Sequence, residues 1–370
     1  TPMAAPLRQG FHSARRRGWR SLMDGKEDIT VLSHQSSLGG SDVKTQIVPP
    51  QPEKLIPPGF LSHPRTCGLV GMPFSWGQPR GGTDQGPDLM RKRGVANYIT
   101  KLEWRFEECG NVEFEEPRLS DPTNPKYRNL KNSYAVGRAC QNLAERTYEV
   151  ASAGKFTLVM GGDHSIALGS IAGILKARPE LSIVWVDAHA DINTPESSPS
   201  GNLHGMPISF LMGLTEAKIP GFEWLEDYPK LDPSKLAFVG LRDVDPGERA
   251  TIRKLGIQAY TMYEVDRYGI GNVMEHCLNH LSPDNSNPVH LSYDIDAVDP
   301  DFAPATGTMV RGGFTLREAH YIAERIAETG MLGSMDIVEV NPSLSCAEGG
   351  EETVELGVHL VASALGNRIM

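Results

Sequence analysis

Only five cysteines (Cys67, Cys109, Cys140, Cys277 and Cys346) occur in 370 residues, scattered, odd in number and without a C-x-x-C pair. That excludes a disulfide framework and a zinc-thiolate site, and it fits a reducing compartment. Apolar runs are short as well: none approaches the roughly 18 residues that a spanning helix requires. No internal repeat of solenoid period is visible. Positive charge is in deficit, with a formal net charge of -10, and because residues 1–23 hold five Arg and no Asp or Glu, the remainder carries -15. An acidic body disfavours non-specific nucleic-acid binding and tolerates a cationic substrate. The expectation is a soluble chain with no nucleic acid and no membrane among its partners.

The acid-free N-terminus, "TPMAAPLRQGFHSARRRGWRSLM", has the composition of an organellar transit peptide, or of a basic tail. The compartment is therefore expected to be cytoplasmic or mitochondrial, with the Arg-rich leader favouring the latter. Residues 24–62 are polar and then Pro-rich ("PPQPEKLIPPG"), so 1–62 reads as an extension and 63–370 as one catalytic domain. Within that domain buried-strand runs recur at 67–72, 156–161, 181–187, 236–241, 289–296 and 334–340. Helix-length segments lie among them at 165–177, 317–328 and 351–365. Continuous apolar strands alternating with helices predict an α/β fold whose parallel sheet is covered on both faces.

Four of these runs end directly in chemistry, as "GGDHS", "DAHAD", "DIDAVDP" and "EVNP", and a fifth ends in "RDVDP". In open α/β sheets ligands bind beyond the carboxyl ends of the strands, so the five ends should meet on one edge. Along an extended segment Asp187, His189 and Asp191 would share one face, and Asp294 and Asp296 likewise. His164 follows two glycines that permit a tight strand-to-helix turn and an exposed imidazole. Four carboxylates and two histidines then converge, and no Lys or Arg lies within the three motifs to balance them. Two divalent cations would. An oxygen-rich set with two imidazoles and no thiolate suits Mn²⁺ better than Zn²⁺, although affinity alone would not exclude zinc, cobalt or nickel. Such a pair would hold a water between them and lower its pKa, supplying hydroxide at neutral pH.

Blander explanations exist for each piece. "GGDHS" alone suits a helix cap by Asp163 or Ser165, and "DIDAVDP" alone suits strand-end turn chemistry. D-x-H-x-D resists this, and the three motifs together argue for a metal site. The loop "NTPESSPSGNLHG" offers Asn193, Ser200 and Asn202 to a polar substrate group, and His204 as a proton carrier near neutral pH. Glu339 stands at a strand end where packing would prefer an aliphatic side chain. It suits either a neighbouring loop or a cation.

These stretches, with "SGNLHGMPISFL", "LSYDIDAVDPDFAPATGT" and "PFSWGQPRGGTDQGP", strongly resemble the arginases of the ureohydrolase superfamily over roughly residues 66–366. The resemblance implies a three-layer α/β/α fold and a binuclear centre with two Mn²⁺ per subunit. One ion would be held by His164, Asp187, Asp191 and Asp294, the other by Asp187, His189, Asp294 and Asp296. It implies hydrolysis of L-arginine to L-ornithine and urea by a hydroxide bridging the two ions. Asp191 would orient that hydroxide, Glu339 bind the guanidinium, and His204 transfer a proton to the leaving amine or act as a shuttle to solvent. Asn193 and Ser200 would receive the α-carboxylate, Asn202 would remain a further polar contact for the substrate, Asp245 and Glu248 would lie near the α-amino group, and Thr308 would supply a further hydroxyl. A homotrimer is the family expectation, with hexamers in some bacterial relatives. Agmatinase, whose substrate lacks the α-carboxylate, is the nearest rival, but it would leave the Asn193 and Ser200 partners unpaired. A catalytically silent regulatory homologue would show lost metal ligands, and all six are present.

Overall fold

The apolar runs become strands because aliphatic and β-branched residues buried on both faces need a sheet with a layer on each side. The computed structural model describes residues 58–215 and 218–368; residues 1–57 of the expected extension lie outside the described residues. Eight parallel strands form one sheet in the order β2-β1-β3-β8-β7-β4-β5-β6. They are β1 (Thr66–Met72), β2 (Arg105–Asn111), β3 (Phe156–Gly161), β4 (Ser182–Val186), β5 (Leu236–Leu241), β6 (Gln258–Thr261), β7 (Val289–Asp294) and β8 (Leu332–Val338). The four strands that run into "GGDHS", "DAHAD", "DIDAVDP" and "EVNP" are the four central neighbours β3, β8, β7 and β4, and β5 adjoins them. Their carboxyl ends therefore share one edge of the sheet, as expected.

The helices among the described residues are α1 (Gly86–Lys92), α2 (Val95–Lys101), α3 (Ser133–Ser152), α4 (Ala167–Ala177), α5 (Pro207–Leu211), α6 (Pro246–Leu255), α7 (Met262–Leu281), α8 (Leu316–Glu328) and α9 (Ala347–Ala364). Alternate strand residues point to opposite faces and so build two cores. Leu158, Met160, Val184 and Val186 pack towards α1, α2 and α7 to α9. Val159, Ile183 and Trp185 pack towards α3 to α6. The result is a three-layer α/β/α architecture. No helix among the described residues is long and apolar enough to cross a membrane.

Candidate metal centre

After β3 the chain passes through Gly161 and Gly162, which act by closeness rather than by unusual backbone angles. Neither has a positive φ, and a Cβ on Gly162 would collide with the backbone of Phe74. A 3-10 turn (His164–Ile166) follows, capped by Asp163, whose Oδ1 accepts from Ser165 N at 3.0 Å and whose Oδ2 accepts from Gly77 N at 2.8 Å. The cap explanation therefore holds for Asp163 and leaves His164 for the centre. Its imidazole is fully buried, not exposed as expected, because Trp185 stacks on it with ring centroids 4.1 Å apart.

Beyond β4 the expected extended alternation does not occur. The chain bends through residues 187–189, and Asp191 takes φ +48°. Local hydrogen bonds set the geometry instead: Asp187 Oδ1 accepts from His189 N at 2.7 Å and Oδ2 from Trp185 Nε1 at 3.0 Å. Asp294 and Asp296 also meet through a turn rather than along a strand, with Asp294 Oδ1 accepting from Asp296 N at 2.8 Å. Thr308 Oγ1 donates to Asp296 Oδ2 at 2.8 Å.

The outcome is two adjoining sets of ligand atoms, His164 with Asp187 and Asp191, and Asp187 with His189 and Asp296, the atoms of each set within 4.8 Å of one another. Asp187 belongs to both. Asp294 joins the first set, its Oδ2 lying 3.1 Å from His164 Nδ1. Asp187 and Asp191 also place an oxygen 3.1 Å from that nitrogen, yet it has no hydrogen-bond partner. That nitrogen faces three oxygens at once and pairs with none of them. That is the arrangement of donor atoms around a cation, and it fits divalent metal.

The electrostatics agree. Burial pushes the Asp191 carboxyl up, the Asp187 carboxylate adds to this, and the group rises to about 6. Burial, Asp296 and Asp187 likewise raise Asp294 well above the usual carboxylate range. For His189, burial favours the neutral ring, but the Asp296 and Asp187 carboxylates beside it outweigh that and raise its pKa far above the usual range. Carboxylates held this close without cations repel one another, so the metal-free cluster has to retain protons.

A cavity of about 170 Å³ opens onto the centre. His189, Asp191 and Asp294 lie on its metal side, and Asn193, Ser200, Asn202, His204, Asp245, Glu248 and Thr308 all line it. Asn193 Nδ2 donates to Asp245 Oδ2 at 2.9 Å, tying the loop to the start of α6. Asn202 Oδ1 is buried without a partner. Glu248 is a brace as well as a lining residue: its carboxylate accepts from Ile192 N at 3.1 Å and Asp245 N at 3.0 Å. Glu339, one residue beyond β8 with φ +62°, accepts from His164 N at 2.8 Å and from Gln78 Nε2 at 2.6 Å. Its Oε1 lies 3.5 Å from His204 Nδ1. Burial lowers the His204 pKa, but this Glu339 contact outweighs it and the ring titrates above its usual value. Sequence reasoning missed two contributors. Asp243, another lining residue, was open to inference from its alternate spacing with Asp245. Gln78 carried no such signal, since its role depends on a contact across 261 positions.

A model of the Arginase family matches residues 65–366. An arginase from Glaciozyma antarctica is 46% identical over 314 residues, which cover 84% of this chain and 90% of that protein. The structure of Bacillus caldovelox arginase superposes with a TM-score of 0.76 at 39% identity, covering 82% of this chain and 99% of the other. Entamoeba histolytica arginase in complex with L-ornithine gives a TM-score of 0.71 at 31% identity, covering 82% and 98% respectively.

Proposed function

The chain belongs to the arginase family and hydrolyses L-arginine to L-ornithine and urea, and we propose that it does so with two Mn²⁺ ions at the centre described above. His164, Asp187, Asp191 and Asp294 would hold one ion, and Asp187, His189, Asp294 and Asp296 the other. When bound, such a pair supplies water acidified towards neutral pH and so a nucleophile without a catalytic Ser or Cys. The oxygen-rich donor set, with two imidazoles and no thiolate, supports manganese over zinc.

The chain's own residues then divide the remaining work. Asp191 orients the attacking water, standing between the ligand cluster and the cavity. The guanidinium is a poor electrophile whose positive charge opposes loss of an amine. Glu339 meets that charge, while His204, kept protonated by Glu339, delivers a proton to the departing nitrogen. General acid assistance of this kind contributes on the order of 10² to 10⁴ in rate. At the far end Asn193, Ser200 and Asn202 receive the α-carboxylate, and Asp245 and Glu248 face the α-amino group. Agmatine, which lacks the α-carboxylate, would leave the Ser200 hydroxyl and the Asn202 amide without that partner.

The observation that carries this reading is His164 Nδ1, buried among three carboxylate oxygens at 3.1 Å without a hydrogen bond. The decisive assay is urea release from L-arginine and from agmatine by Mn²⁺-reconstituted protein. Urea from arginine alone, reduced at least about 10²-fold in Asp191→Ala, is expected; equal turnover of agmatine would refute the carboxylate assignments. We extend the proposal to a homotrimer, to be checked by light scattering. We also extend it to mitochondrial rather than cytoplasmic residence, on the strength of the Arg-rich residues 1–23, to be checked by imaging the tagged full chain.

A further inference from the structure

Behind the first ligand set runs a row of polar side chains that the chemistry above does not use. His164 Nε2 lies 3.0 Å from Ser292 Oγ, and Ser292 Oγ donates to Asp336 Oδ1 at 2.6 Å. The other oxygen of Asp336 accepts from Ser170 Oγ at 2.6 Å and lies 3.0 Å from His290 Nε2. His290 Nδ1 is in turn 3.0 Å from Ser334 Oγ. All six residues are completely buried. Six polar side chains inside a sheet-helix core are costly to retain for packing alone.

The proton inventory of the row fixes its direction. An ionised carboxylate only accepts, and a serine hydroxyl has one proton to give. Ser292 commits that proton to Asp336, so it presents a lone pair to His164 Nε2. That nitrogen must then carry the hydrogen. In a neutral imidazole the lone pair is left on Nδ1, the atom that points among Asp187, Asp191 and Asp294. The Trp185 ring stacked at 4.1 Å fixes the plane of the imidazole, and the row fixes its tautomer.

We propose that Ser292 and Asp336 are positioning residues that hold His164 in the Nε2–H tautomer and thereby set the affinity of the first cation site relative to the second. The proposal rests on the reading that divalent metal occupies the cluster. Outer partners of metal-ligating histidines typically contribute about 10- to 100-fold in metal affinity, and the hydrogen bonds of this row meet the proposed ligands at His164 Nε2 alone, whereas the Asp187 and Asp296 oxygens beside His189 Nδ1 belong to the second ligand set itself.

The test is Mn²⁺ titration of the metal-stripped full chain in competition with a chelating indicator, which reads affinity without turnover. Ser292→Ala should weaken one of the two ions about 10- to 100-fold and leave the other within about 3-fold. Ser292→Thr, which keeps the hydroxyl, should recover most of the loss. Asp336→Asn should weaken the same ion further, because an amide donor would turn the serine proton towards Nε2 and drive hydrogen onto Nδ1. Ser334→Ala, at the far end of the row, controls for structure and should change neither ion. If Ser292→Ala does not yield folded protein, the near-isosteric Ser292→Cys carries the same expectation. Unchanged binding in the Ser292 variant, or equal weakening of both ions there and in Ser334→Ala, would overturn the proposal. Failure of the wild-type chain to bind Mn²⁺ would overturn the metal reading itself, and the relay with it.

Discussion

Asp191 and Glu339 hold their backbones at φ +48° and +62°, a region that glycine enters freely and other residues enter at a cost. Both stand just past central strands; Asp191 lines the cavity, and the buried Glu339 carboxylate lies 3.5 Å from the ring of the lining His204, so the local strain falls beside the candidate site. A consequence can be measured. Asp191→Ala and Asp191→Gly should both lose urea production, but alanine keeps a Cβ at positive φ whereas glycine does not. The glycine variant should therefore be the more stable of the two by about 1 kcal/mol, partly offset by its greater unfolded-state entropy. Thermal melts of the two metal-free variants would show this, and equal melting would mean that the turn is unstrained. The same positions mark the limit of what could be read from residues alone. Motif composition named the six proposed metal ligands and most of the cavity wall, though not Ser198, Pro199, Gly205 or Asp243. The means of their convergence was hidden, because bends after β4 and a capped turn after β7 bring the carboxylates together where strand alternation seemed sufficient.

Among the elements, close approach decides what helix propensity cannot. Gly173 lies within α4, where alanine would ordinarily stabilise the helix by about 0.8 to 1 kcal/mol. Here a Cβ would meet the Ala144 carbonyl and the Thr147 hydroxyl of α3, backbone and buried side chain with no room to move. Overpacking of that kind costs about 1 to 3 kcal/mol, so Gly173→Ala is expected to destabilise by up to about 2 kcal/mol in denaturant melts; a gain in stability would mean that α3 can give way. The two strands that sequence reading missed share a physical cause. β2 is an edge strand with no fully buried position, and β6 is a half-buried edge strand of four residues, so neither presents an apolar run. The central strands, buried on both faces, were legible for the opposite reason. α3 was legible in principle, since its buried positions 136, 139, 140, 143, 144, 147 and 150 keep helical spacing, but its polar residues and lack of a side-chain cap obscured it.

For the molecule as a whole, four buried carboxylates make stability a function of metal and of pH together. Ligand bound only to the folded state adds about 2.7 kcal/mol per site at a hundredfold excess over Kd. For a chain of this size each kcal/mol is roughly 2 °C or less in melting temperature, so stripping two ions should lower it by up to about 10 °C. The pH dependence has a definite sign. In the metal-free chain the Asp191 carboxyl is raised to about 6 by burial and by Asp187. Its contribution to stability is thus fully present below the unfolded carboxylate range, near pH 4, and is lost as the pH climbs through 6. Asp294, also raised well above the usual carboxylate range, contributes a loss of the same sign. Metal binding runs the other way, because the ligands must shed those protons before they can coordinate, and affinity grows as the pH rises. The gap between the melting temperatures of the Mn²⁺-loaded and chelator-treated protein should therefore widen steadily from pH 5 to pH 7.5. Calorimetric scans at those two pH values decide the matter: a gap that stayed constant would mean that the four carboxylates are not held as close, or as dry, as the sheet edge places them.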